Sequence, residues 1–266
     1  MTDRGSAPGK LWGVGTGPGD PELLTLKAAR VLKEADVVAY FAKRGRKGNA
    51  RTTVDAALRP GMREMALEYP VTTEMPAAST EYRSAITAFY EESAARVAAA
   101  LDAGQSVAVL SEGDPLFYGS YMHLHVRLAR AYPSEVIPGV TAMSGCWSQA
   151  GLPLVQGDEM MAILPGTLAE DALAARLAEV EAAVIMKVGR NLGRIRRALA
   201  SVGRLHHAVY VERGTMAGSH HVPLADKPDD AAPYFSLVLV PGWGSRIGGD
   251  TITYASAAPA AAGETA

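Results

Sequence analysis

Two stretches of the chain join an apolar run to turn chemistry that leaves backbone polar groups exposed. Val107–Gly119 reads Val-Ala-Val-Leu-Ser-Glu-Gly-Asp-Pro-Leu-Phe-Tyr-Gly, and Gly13–Thr25 reads Gly-Val-Gly-Thr-Gly-Pro-Gly-Asp-Pro-Glu-Leu-Leu-Thr. In each, an Asp stands where a helix N-cap belongs and a Pro where the first helical residue belongs. The glycines allow close backbone approach, and the amide N–H groups after each Asp have no partner within their own helix. Such turns can hold a polar ligand, and they can equally be plain capped connections. The alternating glycines from Gly13 do not make a dinucleotide fingerprint, because Pro18 and Asp20 stand where its later glycine would fall, and no Gly-Lys-Ser/Thr marks a nucleotide P-loop. A second chemical feature is the basic run Lys43, Arg44, Arg46, Lys47 and Arg51 after an apolar segment. Guanidinium and ammonium groups there can clamp carboxylates or phosphates, or simply line a solvated loop. Thr141, in Pro-Gly-Val-Thr-Ala, can cap a helix and offer a hydroxyl to a ligand.

The elements that position these residues follow from apolar periodicity. Strands are predicted at Leu11–Gly15, Val37–Ala42, Met62–Tyr69, Val107–Ser111, Met160–Leu164, Ala183–Val188, Ala208–Glu212 and Tyr234–Val240, with a short one before Pro138. Helices are predicted over 21–34, 80–103 (stopped by Gly104), 115–131, an Ala-rich segment after Thr141, 168–181 and 191–201. Gly151–Asp158 has neither period and reads as a linker. The expectation is therefore an α/β protein of two lobes: an N-terminal lobe over 1–150, a linker over 151–158, a C-terminal lobe over 159–243 and a flexible tail over 244–266.

Composition excludes several classes. Twenty-six basic against 28 acidic residues give a net charge of −2, so no global basic field points to nucleic acid. Cys146 is the single cysteine, which removes an internal disulfide and any multi-cysteine metal site. The histidines fall in pairs at 123/125, 206/207 and 220/221, none at the i, i+4 spacing of a helical metal site, and no metal is expected. No apolar run reaches membrane-spanning length and the start lacks a signal-peptide core, so a cytoplasmic protein is expected.

Taken together these turns resemble the tetrapyrrole methylase family of S-adenosylmethionine-dependent methyltransferases. The resemblance rests on Gly13–Thr25, Ser111–Gly119, Ile137-Pro-Gly-Val-Thr-Ala142, Ile185-Met-Lys187 and Tyr210-Val-Glu-Arg-Gly-Thr215, in family order across nearly the whole chain. Glu112–Met122, Gly151–Asp158, Val211–Met216 and the segment from Pro233 are most similar to members that methylate precorrin-2 at C20 in cobalamin biosynthesis. The metal-free substrate is the first expectation; cobalt-factor II, or uroporphyrinogen III in another branch, is the alternative. Branches acting on ribosomal RNA or diphthamide precursors, and a non-enzymatic tetrapyrrole carrier, are rival classes.

The resemblance implies a homodimer of bilobal subunits with the cofactor in the cleft between lobes. It implies that Pro18, Gly113, Asp114, Phe117, Thr141 and Ala142 hold the cofactor from the first lobe. Met186, Arg213 and Gly214 would cover it from the second. Lys43, Arg44, Arg46 and Lys47, or Arg190 and Arg194, could pair with such a substrate's carboxylate arms, although 190–197 reads equally as the exposed face of a helix. No residue announces itself as a general base; Glu112, Tyr118 and Arg213 are candidates for a catalytic role by their nearness to the family motifs. Glu112 departs from the related uroporphyrinogen enzymes, where glycine is frequent. For Asp114, capping a helix and holding a ligand compete for one carboxylate; capping is expected to win, with the Gly113 backbone doing more of the holding.

Overall fold

The computed structural model describes residues 7–70 and 79–242, so the tail expected over 244–266 lies outside the described residues. The chain divides into two compact units, Met1–Ala142 and Met143–Ala266.

The first unit holds a parallel sheet of β1 (Leu11–Gly15), β2 (Val37–Lys43), β3 (Arg63–Tyr69), β4 (Val107–Ser111) and β5 (Ser134–Ile137), in the order β3-β2-β4-β1-β5. Its central strands read as unbroken apolar runs because both faces are covered. Leu11, Val37, Ala39, Val107 and Val109 enter one core with Phe89, Tyr90, Val97 and Leu101 of α3 (Thr80–Asp102). The alternate residues Trp12, Val14, Val38, Ala108 and Leu110 enter a second core with Ala28, Val31 and Leu32 of α1 (Leu26–Glu34). Helix α3 stops where expected. Gly104, at φ +76°, donates to Leu101 O and Gln105 donates to Ala100 O, each at 3.0 Å, satisfying the last carbonyls. At the opposite side of the sheet, Glu135 on β5 bridges Lys10 and Lys27, which hold its carboxyl down at about 2.

The second unit carries α5 (Ala142–Gln149, entering from the first unit) and a mixed sheet in the order β6-β7-β10-β8-β9. Its strands are β6 (Met161–Pro165), β7 (Ala182–Met186), β8 (Val209–Glu212), β9 (His220–Pro223) and β10 (Ser236–Val240). One face packs against α6 (Glu170–Ala178) and α7 (Leu192–Ser201). Leu152 and Leu154, in the segment expected as a linker, help cover the other face together with Cys146. Two buried leucines separated by Pro153 in a Gly-bounded octet form neither a helical nor a strand period, which is why periodicity does not reveal this role.

Four local differences from the expected elements stand out. The predicted helix over 21–34 is split: Asp20 accepts from Glu22 N at 2.9 Å and caps only a single 3-10 turn. Thr25 then caps α1 by accepting from Ala28 N at 3.1 Å. The predicted helix over 115–131 reduces to α4 (Tyr121–Leu128), which begins after Ser120. The basic run contains a short helix, α2 (Asn49–Thr53), and β9 was not predicted because His220–Pro223 is brief and weakly apolar.

Gly214 is buried, and an added Cβ would lie 2.5 Å from Cys146 Sγ. Gly214→Ala is therefore expected to cost about 1–3 kcal/mol of overpacking. Removing the sulfur in Cys146→Ala/Gly214→Ala should restore most of that loss; urea unfolding midpoints of the two variants against wild type measure it.

Candidate functional site

All the parallel strands of the first sheet end on one edge, the usual ligand edge of an open α/β sheet. The loops after β1, β4 and β5 meet there almost backbone to backbone. A Cβ on Gly139 would stand 2.1 Å from Gly113 O, and one on Gly15 would stand 2.6 Å from Gly139 N. Hydrogen bonds stitch the loops together. Thr16 N donates to Ser111 O at 2.9 Å, Gly113 N to Gly17 O at 2.9 Å and Gly17 N to Gly113 O at 3.4 Å. Gly113 has φ +63°, a conformation glycine adopts without steric cost.

Asp114 completes the junction. Its Oδ1 accepts from Leu116 N at 2.9 Å and its Oδ2 accepts from Gly139 N at 3.1 Å. The carboxylate thus caps a turn rather than a helix, and its second oxygen ties the β4 loop to the β5 loop. Both oxygens are engaged by protein, so the role as a loop tie comes before any contact with a ligand.

The remaining first-unit candidates surround this junction. Thr141 and Ala142, at the start of α5, lie beside Gly113, whose Cβ position would be 3.6 Å from Ala142 N. Pro18 and Phe117 are half-buried, and Phe117 meets the exposed Tyr118 edge-on at 4.9 Å. Tyr118 has φ +53°. Glu112 keeps solvent-accessible surface, yet the crowded surroundings limit its solvation and raise its carboxyl above the usual range. Hydrogen bonds from the Asn49 side chain and Ala50 N–H work in the opposite direction. Glu112 therefore also satisfies an orphan amide in the first turn of α2.

The basic run separates into two behaviours. Lys43, at the end of β2, and Arg44, Arg46 and Lys47 after it are exposed. Arg51 is buried, pairing with Glu64 at 2.7 Å and Asp55 at 2.6 Å, which hold both carboxyls below their usual range. Burial of Arg51 is invisible in a run that reads as uniformly basic.

In the second unit, Met186 ends β7, half-buried, and its carbonyl accepts from Gly166 N at 2.7 Å. Arg213 follows β8, exposed at φ +53°, and Gly214 packs on Cys146. Arg190 is exposed, whereas Arg194 donates to Thr167 O at 3.2 Å and Leu168 O at 2.9 Å, a structural use of its guanidinium. Gly139 is the site residue that sequence reasoning passed over; its signal was the Pro-Gly pair in a strand-ending turn. Among the described residues, no group of three or more His, Cys, Asp or Glu side chains is placed to hold a metal ion.

The donor set suits a ligand with a charged amino-acid end and a flat apolar part. First-turn amides of α5 and strand-end backbone groups can meet the charged end, and Pro18 and Phe117 provide apolar surface. S-adenosylmethionine fits that description.

A family model described as Tetrapyrrole (Corrin/Porphyrin) Methylases matches residues 10–227. The precorrin-2 C(20)-methyltransferase of a Sinorhizobium species is 66% identical over 242 residues, 91% of this chain and 99% of that protein. The cobalt-precorrin-2 C(20)-methyltransferase of Salmonella typhimurium is 30% identical, covering 87% of this chain and 96% of that one. The crystal structure of uroporphyrin-III C-methyltransferase from Thermus thermophilus complexed with S-adenosylhomocysteine is similar with a TM-score of 0.59 and 28% identity, over 87% of this chain and 97% of that chain.

Asp114→Ala removes the acceptor for two backbone donors and is expected to destabilise the protein by about 1–3 kcal/mol. It should also weaken S-adenosylmethionine binding at least roughly tenfold, because the junction loosens. Chemical denaturation and calorimetry on the same preparation test both effects.

Proposed function

The chain belongs to the tetrapyrrole (corrin/porphyrin) methylases, and from that premise we propose that it methylates precorrin-2 at C20, giving precorrin-3A and S-adenosylhomocysteine in cobalamin biosynthesis. The observation that carries this reading is the near-full-length identity to the Sinorhizobium enzyme, more than twice that to the cobalt-precorrin enzyme. That difference favours the metal-free substrate.

S-adenosylmethionine, when bound, supplies an electrophilic methyl group on a sulfonium. C20 of a reduced tetrapyrrole is enamine-like and already nucleophilic, so the protein's main task is alignment. Positioning of this kind contributes on the order of 7–11 kcal/mol in favourable cases. The junction of Gly15, Gly113 and Gly139, tied by Asp114, gives Pro18, Gly113, Phe117, Thr141 and Ala142 a fixed geometry for holding the cofactor. From the family resemblance, Met186, Arg213 and Gly214 are also assigned to the cofactor, and Lys43, Arg44 and Arg46 to substrate carboxylates. The family resemblance supports these roles, and it supports a cytoplasmic homodimer. No helix among the described residues is long and apolar enough to cross a membrane.

Of Glu112, Tyr118 and Arg213, Glu112 is the best-suited acceptor for the proton released from C20. Its restricted solvation favours the neutral acid and so strengthens the carboxylate as a base. A base must be ionised, so the rate falls as pH drops through its raised pKa. Glu112→Gln, which retains an oxygen for Ala50 N–H, is expected to lower kcat about a hundredfold and abolish that acid limb. Unchanged kcat and pH profile would remove Glu112 from the mechanism.

The reaction itself is tested by offering precorrin-2 and its cobalt form in competition with labelled S-adenosylmethionine. A product heavier by one methyl, placed at C20 by NMR and formed preferentially from the metal-free substrate, is expected. Transfer only to the cobalt form or to uroporphyrinogen III would reassign the chain within its family.

A further inference from the structure

Three non-glycine residues among those described occupy the left-handed backbone region: Tyr118, Lys187 and Arg213. Tyr118 lies within the β4 loop, but the other two share a place in the second sheet. Lys187 immediately follows β7, at φ +56°, and Arg213 immediately follows β8, at φ +53°. Strands β7 and β8 both run antiparallel to β10 between them, so their carboxyl ends lie on one edge. Val238 is opposite Ile185 and Ser236 opposite Glu212. Lys187 is consequently level with Ser236, and Arg213 is one residue beyond it. The two backbones are two strand spacings apart, roughly 10 Å.

Left-handed geometry costs energy for a side chain with a Cβ, and it persists only where the surroundings impose it. Both positions are imposed. Asn191 Nδ2 donates to Lys187 O at 3.1 Å, and Gly166 N pins Met186 O. Arg213 donates through its N–H to Phe235 O at 2.8 Å and accepts from Met216 N at 2.7 Å. Next to it, Gly214 is wedged against Cys146 while its carbonyl accepts from Ser219 Oγ. Glycine would fit both conformations without strain, yet both positions carry an exposed cation. Glu212, 3.9 Å from Arg213 Nε, is the nearest acidic group to Arg213 in the sheet register and leaves its guanidinium half-exposed.

We propose that Lys187 and Arg213 form a two-point cationic clamp for the carboxylate arms of the tetrapyrrole, with Lys187 a substrate-positioning residue and the Arg213 guanidinium serving the substrate while its backbone, with Gly214, borders the cofactor. The proposal rests on the tetrapyrrole substrate assigned above. Two cations about 10 Å apart at the base of their side chains match separate carboxylates on one macrocycle better than a single compact anion. Lys187 also adjoins Met186, a residue assigned to the cofactor, so an arm held there would orient the ring beside the methyl donor.

The test uses the full chain with Lys187→Gln, Lys187→Gly and Lys187→Gln/Arg213→Gln. Uroporphyrin III serves as the carboxylate-bearing probe, followed by quenching of tryptophan fluorescence. Its binding should weaken about tenfold in Lys187→Gln and about a hundredfold in the double variant, as expected for lost charge-assisted hydrogen bonds. S-adenosylmethionine affinity of Lys187→Gln, by calorimetry, should stay at the wild-type value. Lys187→Gly should melt roughly 2–4 °C higher through strain relief while losing the same porphyrin affinity, a pairing that a purely structural lysine would not give. Wild-type porphyrin affinity in Lys187→Gln, or a parallel fall in cofactor affinity, would overturn the clamp. Porphyrin binding that depends on Lys187 in a chain unable to methylate precorrin-2 would uphold the clamp and end the reaction assigned above.

Discussion

The near-contact of three loop backbones at Gly15, Gly113 and Gly139 is the constraint on which the first unit's ligand edge depends. Side chains at Gly15 and Gly139 would drive the strand ends apart, since their Cβ atoms would fall 2.6 and 2.1 Å from the nearest backbone atoms, while Gly113 supplies the carbonyl that Gly139 meets and holds φ +63°. With no side chain between them, the loops are close enough for backbone groups to bond across the junction and for one carboxylate, Asp114, to reach amides of two loops. Rigidity of this kind matters for a reaction whose substrate is already nucleophilic. The protein has no difficult bond to activate on the acceptor, and its contribution lies in distance and angle.

The second unit achieves a comparable rigidity differently. Its sheet is mixed, and its strand ends are fixed by left-handed residues whose neighbours are pinned by hydrogen bonds and by the Gly214–Cys146 contact. Cys146 is held here as a packing partner. Burial raises its thiol pKa to about 12, far from the thiolate that nucleophilic chemistry requires. Likewise, Arg51 and Arg194, two members of sequence segments that look like anion clamps, are spent on internal partners. What distinguishes the exposed Lys43, Arg44 and Arg46 from Arg51 is burial, a property of packing.

Most strands and the longest helix were legible because their residues obey a local period. Val107–Ser111 and Leu11–Gly15 are buried along their whole length since both sheet faces are covered, so they read as near-continuous apolar runs. The glycine after α3 marks its end because only the left-handed conformation closes the last carbonyls there. The misreadings arise where one local signal has two outcomes. Asp-Pro after a strand starts a helix or a turn with equal local economy, and at Asp20 and Asp114 the turn prevails. At Asp114 the second oxygen's bond to Gly139, 25 residues away, fixes that outcome.

The sequence by itself determined the α/β class, most strand positions and the family to which the loops belong, because each of these follows from residue type and short spacing. Only the tertiary structure decided that Asp114 ties two loops, that Glu112 reaches the first turn of α2, and that Lys187 and Arg213 share one strained edge. Those relations join residues far apart in the chain, and packing, which acts through space, is what brings them together.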